Sequence, residues 1–223
     1  MSACNFVSLV VGKAGEIGTP QVIRVIAPVM ARMLTRSMSH RVCPWWLGYF
    51  LLNPWRRYSQ NPSRILAPYV HDGMTVLEPG PGMGFFTLEM AHMVGASGRV
   101  VAVDIQPRML EKLKRRAAKA ALLDRLDARI ATSDSMGIAD LAGAVDFTLA
   151  FAVVHEFPDA ARFFAEVASA LKPDALLLLA EPTGHVKPAD FEAELQVAAK
   201  TGFQVAERLS IPRSHAALLK RSS

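Results

Sequence analysis

The residues best suited to chemistry in this 223-residue chain are acids and histidines that follow short apolar runs. Glu78 closes the run Met74–Leu77, and Gly80, Gly82 and Gly84 come directly behind it. Asp104 closes a second run, Val100–Val103. His155 and Glu156 follow a third, Val145–Phe151, and His185 follows a fourth, Ala175–Ala180. An acid at the end of a second strand, beside a glycine-rich first turn, is how a doubly wound sheet holds a pair of ribose hydroxyls. A carboxylate just ahead of the glycines repels a pyrophosphate and suits an ammonium group. Imidazoles, with an unperturbed pKa of about 6.5, suit proton removal near neutral pH.

The spacing of the glycines narrows the ligand. A dinucleotide loop reads G-x-G-x-x-G, whereas Glu78-Pro-Gly-Pro-Gly-Met-Gly84 reads acid-x-G-x-G-x-G. In this pattern the sequence resembles the class I S-adenosylmethionine-dependent methyltransferases, of the small-molecule type, over roughly residues 70–221. The resemblance implies S-adenosylmethionine as cofactor and an α/β fold. That fold is a Rossmann-like doubly wound seven-stranded sheet of order 3-2-1-4-5-7-6, last strand antiparallel, with helices on both faces. It implies a cofactor site of Glu78, Gly80, Gly82, Gly84, Asp104, Ile105, Asp134, Ser135 and Phe151. Within it Asp104 takes the ribose and Asp134 the adenine amino group. The family's fourth motif has an acid near the strand start, matched by Asp146, and often a histidine in the loop before Pro-Asp, a place held by His155.

The elements that must position these groups follow from periodicity. Phe85–Val94 has apolar residues at helical spacing after the glycine turn. Gln106-Pro107 opens a helix with proline near its first turn, and Met109, Leu110, Leu113, Ala117 and Leu122 make its inward face. Ala128–Ala131 is a third strand, followed by Ser133-Asp134-Ser135. There a helix N-cap by Asp134 or Ser135 is an alternative, or additional, role. Val145–Phe151 is the fourth strand, Asp159–Leu171 a helix, and Lys172-Pro173-Asp174 a turn into the fifth strand, Ala175–Ala180. The family usually has glycines in that turn. Phe191–Ala199 is helical, and Phe203–Leu209 with Ser214–Lys220 form a closing antiparallel pair.

The first 69 residues follow a different plan. Residues 1–70 carry eight Lys/Arg against the single acid Glu16, leaving 17 basic and 19 acidic residues for the remainder. The net charge of +5 therefore belongs to the N-terminal third, and no nucleic-acid-binding signature accompanies it. Residues 1–37 read as a poorly ordered extension. A transit-like segment, or a biological start at Met38, would give the same composition. Residues 38–69 hold Trp45, Trp46, Tyr49, Phe50 and Tyr58. In the resembled family such a segment often lies across the cofactor mouth as a lid that contacts substrate, and packing on the sheet edge is the equal alternative. With Cys4 and Cys43 alone there is neither a disulfide framework nor zinc spacing, so no metal is expected and the setting is a reducing, cytoplasmic one. No apolar run approaches the roughly 18 residues of a membrane span.

Methyl transfer from a sulfonium needs nucleophile, methyl carbon and sulfur on one line, and a base only when the acceptor arrives protonated. His155 and His185 are the candidate catalytic residues. Motifs for amino-methylation of DNA or protein, for RNA cytosine methylation and for arsenic methylation are absent. A small-molecule acceptor remains, with a non-catalytic S-adenosylmethionine-binding protein or a nicotinamide-dependent oxidoreductase as alternatives.

Overall fold

A computed structural model describes residues 60–222; the aromatic residues Trp45, Trp46, Tyr49 and Tyr58 lie outside that span. Within it, glycine and proline punctuation separates twelve regular elements. They run α1 (Pro62–Leu66), β1 (Thr75–Pro79), α2 (Thr87–Met93), β2 (Arg99–Asp104), α3 (Pro107–Lys119), β3 (Leu126–Ile130), β4 (Val145–Phe151), α4 (Ala160–Ala170), β5 (Leu171–Pro182), α5 (Pro188–Lys200), β6 (Phe203–Ile211) and β7 (Ser214–Arg221). The seven strands form one sheet of order β3-β2-β1-β4-β5-β7-β6, with β7 antiparallel to both neighbours and β1–β5 parallel. This is the expected topology.

Alternation along the central strands divides the core. Leu77, Val101, Leu177 and Leu179 face one way, onto α4 and α5 through Phe163, Phe164, Val167, Phe191 and Leu195. Val76, Val100, Phe147, Leu149 and Leu178 face the other, onto α1 and α2 through Leu66, Phe86, Met90 and Val94. Helix α3 packs on Ala102 through Leu110 and Leu113.

Three local expectations are corrected. Helix α2 begins at Thr87, because Phe85 and Phe86 still belong to the turn and only one heptad's worth of helix follows it. Strand β5 begins at Leu171, and the expected turn is a bulge inside it. The register against β4 passes from Val145↔Leu171 to Phe147↔Leu176, and Asp174 takes φ +63°. Aspartate, with a short polar side chain, enters that left-handed region more readily than most residues, which is how the chain manages without the family's glycine. Lastly, neither Asp134 nor Ser135 caps an α-helix; the next helical residues are a single 3₁₀ turn at Ala139–Leu141.

Phe164 is fully buried at the centre of the α4/α5 face, edge-on to Phe163 at 5.2 Å and to Phe203 at 6.0 Å. Its replacement by alanine removes a ring from a site that three elements hold in place. Phe164→Ala should therefore cost about 3–5 kcal/mol of stability, read as a lowered urea midpoint at unchanged slope. A shift under about 1 kcal/mol would mean the site collapses to fill the space.

Candidate functional site

The parallel strands end together, and the groups singled out above leave the sheet there. At the end of β1, Glu78 is buried and accepts a hydrogen bond from Thr87 Oγ1 at 2.5 Å, which ties it to the first residue of α2. The turn between them is fixed by hydrogen bonds from Gly80 N to Val103 O (2.8 Å) and from Gly84 N to Pro81 O (2.9 Å). Arg116 of α3 also donates to Met83 O.

Gly80 and Gly82 need to be glycine for different reasons. Both have positive φ, +67° and +54°. A Cβ on Gly80 would lie 2.4 Å from Val153 Cγ2, so the two chain segments are interlocked. A Cβ on Gly82 would meet nothing within 4 Å, so its backbone stands over open space where a ligand can approach.

Beside this loop Asp104 is buried, with Oδ1 accepting from Gln106 N at 2.8 Å and further backbone hydrogen bonds from Gly82 and Ile105. Burial raises its carboxyl to about 6 in spite of those donors. Ile105 is exposed next to it. Phe151, at the end of β4, is buried against Phe86 at 4.5 Å and contributes packing behind the loop.

The end of β3 leaves the sheet next to Asp104, whose carbonyl accepts from Ala131 N at 3.0 Å. Thr132 Oγ1 then accepts from Asp134 N and Ser135 N. Ser135 Oγ donates to Glu166 of α4, and Arg162 donates to Asp134 O at 2.8 Å. The Asp134 side chain is 84% exposed, 3.7 Å from Arg162. It lies outside the core. Asp146 is remote from these groups, at the opposite end of β4, where it accepts from Thr75 N (2.9 Å) and Lys172 Nζ (2.6 Å). It is a clasp between strands.

Beyond β4 the chain turns sharply. Ala152 has φ +59°, a left-handed conformation for a residue with a Cβ, and Ala152 N donates to Ala180 O at 2.7 Å. A single 3₁₀ turn, Val154–Glu156, follows and carries His155. His155 Nδ1 lies 2.5 Å from Glu181 Oε2, and its ring is nearly parallel to that of His185 at 6.0 Å. Burial alone would lower the His155 pKa; the hydrogen bond and charge of Glu181, with the charges of Glu156 and Glu194, outweigh it and raise the pKa. Burial, and the neighbouring His155, lower that of His185. Glu194 of α5 faces the same group, pushed up to about 8 by burial and by Glu181.

Glu181, Glu194 and Thr87 were not singled out by sequence reasoning. For Glu181 the signal was present: it closes an apolar run, as Glu78 and Asp104 do. Glu194 and Thr87 sit within helical patterns where an acid or a hydroxyl is ordinary.

A parallel sheet at the centre, an acid-led glycine turn and a second acid at the end of β2 define the class I methyltransferase architecture. The methyltransferase-domain family matches residues 70–210, and the chain belongs to that family. It carries a methyltransferase domain, and shares the fold of that domain with solved S-adenosylmethionine-dependent enzymes. An arsenite methyltransferase of Halobacterium salinarum is 28% identical over 137 residues; these cover 61% of this chain and 33% of that protein, so the chain spans about a third of the relative's length. Among solved structures, a SAM-dependent methyltransferase from Aquifex aeolicus aligns with TM-score 0.70 and 21% identity, over 80% of this chain and 98% of its own. An arsenic(III) S-adenosylmethionine methyltransferase from Chlamydomonas reinhardtii aligns with TM-score 0.53 and 20% identity, over 70% of this chain and 65% of its own. At those identities the two structures attest the fold. Membership of the methyltransferase-domain family speaks against the nicotinamide-dependent alternative. Among the described residues no helix is long and apolar enough to cross a membrane, and no cluster of His, Cys, Asp or Glu could hold a metal ion.

Proposed function

We propose that the enzyme methylates a small-molecule acceptor whose nucleophilic atom arrives protonated, and that His155 takes the proton. The observation that carries this reading is the position of His155 just beyond β4, half-buried and bonded through one ring nitrogen to a buried carboxylate. A histidine with that partner holds one nitrogen as a donor and keeps the other available as a base.

The donor set fits the cofactor. Asp104 is a buried acid with capacity for the two ribose hydroxyls, Glu78 an acid suited to the ammonium, and Ile105 an exposed apolar face for adenine, with Asp134 and Ser135 at the rim. Gly82 leaves the backbone open beside them. When bound, the cofactor supplies an electrophilic methyl group on a sulfonium. The chain's contribution is to hold it, to align the acceptor and to remove the acceptor's proton. Trp45, Trp46, Tyr49 and Tyr58 are suited to cover that acceptor and exclude water.

The names of two relatives raise arsenite as an acceptor. Binding of trivalent arsenic calls for soft thiolate ligands, and this chain has two cysteines, Cys4 and Cys43, far apart in sequence. A phenol, thiol or other acidic small molecule fits the histidine better. The test is incubation with methyl-labelled S-adenosylmethionine and a panel of thiols, phenols, quinols, amines and arsenite. Label should appear in a protonated organic acceptor. Label in arsenite alone, or in none of the panel, would overturn the reading.

A further inference from the structure

Glu181 has no exposed surface, yet its carboxylate serves the chain on both oxygens. Oε1 accepts from Val153 N at 3.3 Å and from Val154 N at 2.7 Å, while Oε2 meets His155 Nδ1 at 2.5 Å. One side chain therefore holds both the backbone of the 3₁₀ turn and the ring that the turn carries. An ionised carboxylate only accepts hydrogen bonds, so the proton between them sits on Nδ1. In the neutral ring the lone pair is then on Nε2.

Resting on the reading of His155 as the base, we infer that Glu181 is the positioning residue of the site: it fixes His155 as the Nδ1–H tautomer and aims Nε2 at the acceptor. In the reaction the acceptor's proton goes to Nε2, while its nucleophilic atom forms the new bond to the methyl carbon and the carbon–sulfur bond breaks towards sulfur. Nδ1 keeps its proton throughout, and the imidazolium that forms faces the Glu181 carboxylate. Around the pair stand Glu156 on the same turn, His185 beyond β5, Glu194 on α5 and His215, which pairs with Glu181 across β5 and β7. Glu194 Oε2 and His215 Nε2 are buried without a hydrogen-bond partner among the described residues, so neither competes for the Glu181 oxygens. A mere anchor for the turn would need only Oε1. A metal site would need a third ligand, which the described residues lack.

Glu181→Gln separates these roles. The amide has one accepting oxygen, which the Val153 and Val154 amides claim, so its NH₂ is turned towards Nδ1. A donor there requires Nδ1 to accept, and the ring proton moves to Nε2. Histidine ¹⁵N spectra should therefore show Nδ1–H in the unaltered protein and Nε2–H in the variant. Turnover should fall by roughly 10²–10⁴-fold, the range seen when a histidine base is held in the wrong tautomer, with affinity for S-adenosylhomocysteine kept. The acidic limb of the rate profile should shift to lower pH, because the negative charge beside the imidazolium is gone.

An Nε2–H tautomer in the unaltered protein would overturn the inference without any variant, so a misfolded Glu181→Gln leaves the test intact. An unchanged tautomer or an unchanged acidic limb in a folded variant would overturn it too. If no acceptor is methylated while the tautomer inverts, the positioning survives and the base assignment is what fails.

Discussion

His155→Ala is expected to slow methylation of a protonated acceptor by about 10²–10⁴-fold while leaving cofactor affinity in place. The size follows from removing a base whose aim is set by a buried carboxylate, with water as the only replacement. The pH dependence gives a second reading of the same variant. Glu181 and its neighbours raise the pKa of His155 above the ordinary histidine value, so the free base is the minor form below that raised value. Activity is present above it and lost as pH falls through it. In His155→Ala the acidic limb should vanish together with the rate. A variant that kept both would make His155 a loop residue held by Glu181 for stability alone, and would move the search to His185, whose lowered pKa already leaves it neutral near pH 7.

Asp104→Ala should weaken binding of S-adenosylhomocysteine by about 30- to 10⁴-fold. Two ribose hydroxyls then lose their acceptor, at about 1–3 kcal/mol for a buried polar group left unpaired. The pH dependence of this affinity is equally diagnostic. Burial moves the Asp104 carboxyl from 3.8 to about 6 in the folded protein. Its pKa is thus raised on folding. The stability it contributes is present below about 4 and lost as pH rises through about 6, a difference of about 3 kcal/mol. Ribose donors favour the ionised form, so binding is full above pH 6 and weakens below it. Calorimetry should find affinity about tenfold lower at pH 5 than at pH 7.5. Asp104→Ala should be flat over the same range. Equal affinity for variant and unaltered protein would remove Asp104 from the cofactor site.

The central strands are legible in the sequence because apolar runs and their closing acids mark the strands of a parallel sheet, buried on both faces, whereas the order of the strands is what the family resemblance implies. The expected fourth strand, Val145–Phe151, coincides with β4. Boundaries slipped where tertiary contacts decide them. Leu171 pairs with Val145 across a bulge, and no local pattern distinguishes that from a turn. Among site residues, Asp104 and the glycines are legible because their spacing is imposed by the loop itself. Glu181 is written in the same way but lies 26 positions from His155. Their partnership exists only once β4 and β5 are adjacent. Glu194 is further still from being legible, since its altered acidity is a product of packing alone.

The methyl group of Val153 fills the room that a side chain at position 80 would need. The glycine loop proposed to hold the cofactor and the turn carrying the proposed base thus share one volume, like two gears on adjoining axles. Selecting for new acceptors by randomising residues 152–155 will therefore also retune cofactor binding. Substitutions at 80 and 153 should show non-additive effects when combined, and libraries aimed at new acceptors should vary both positions together.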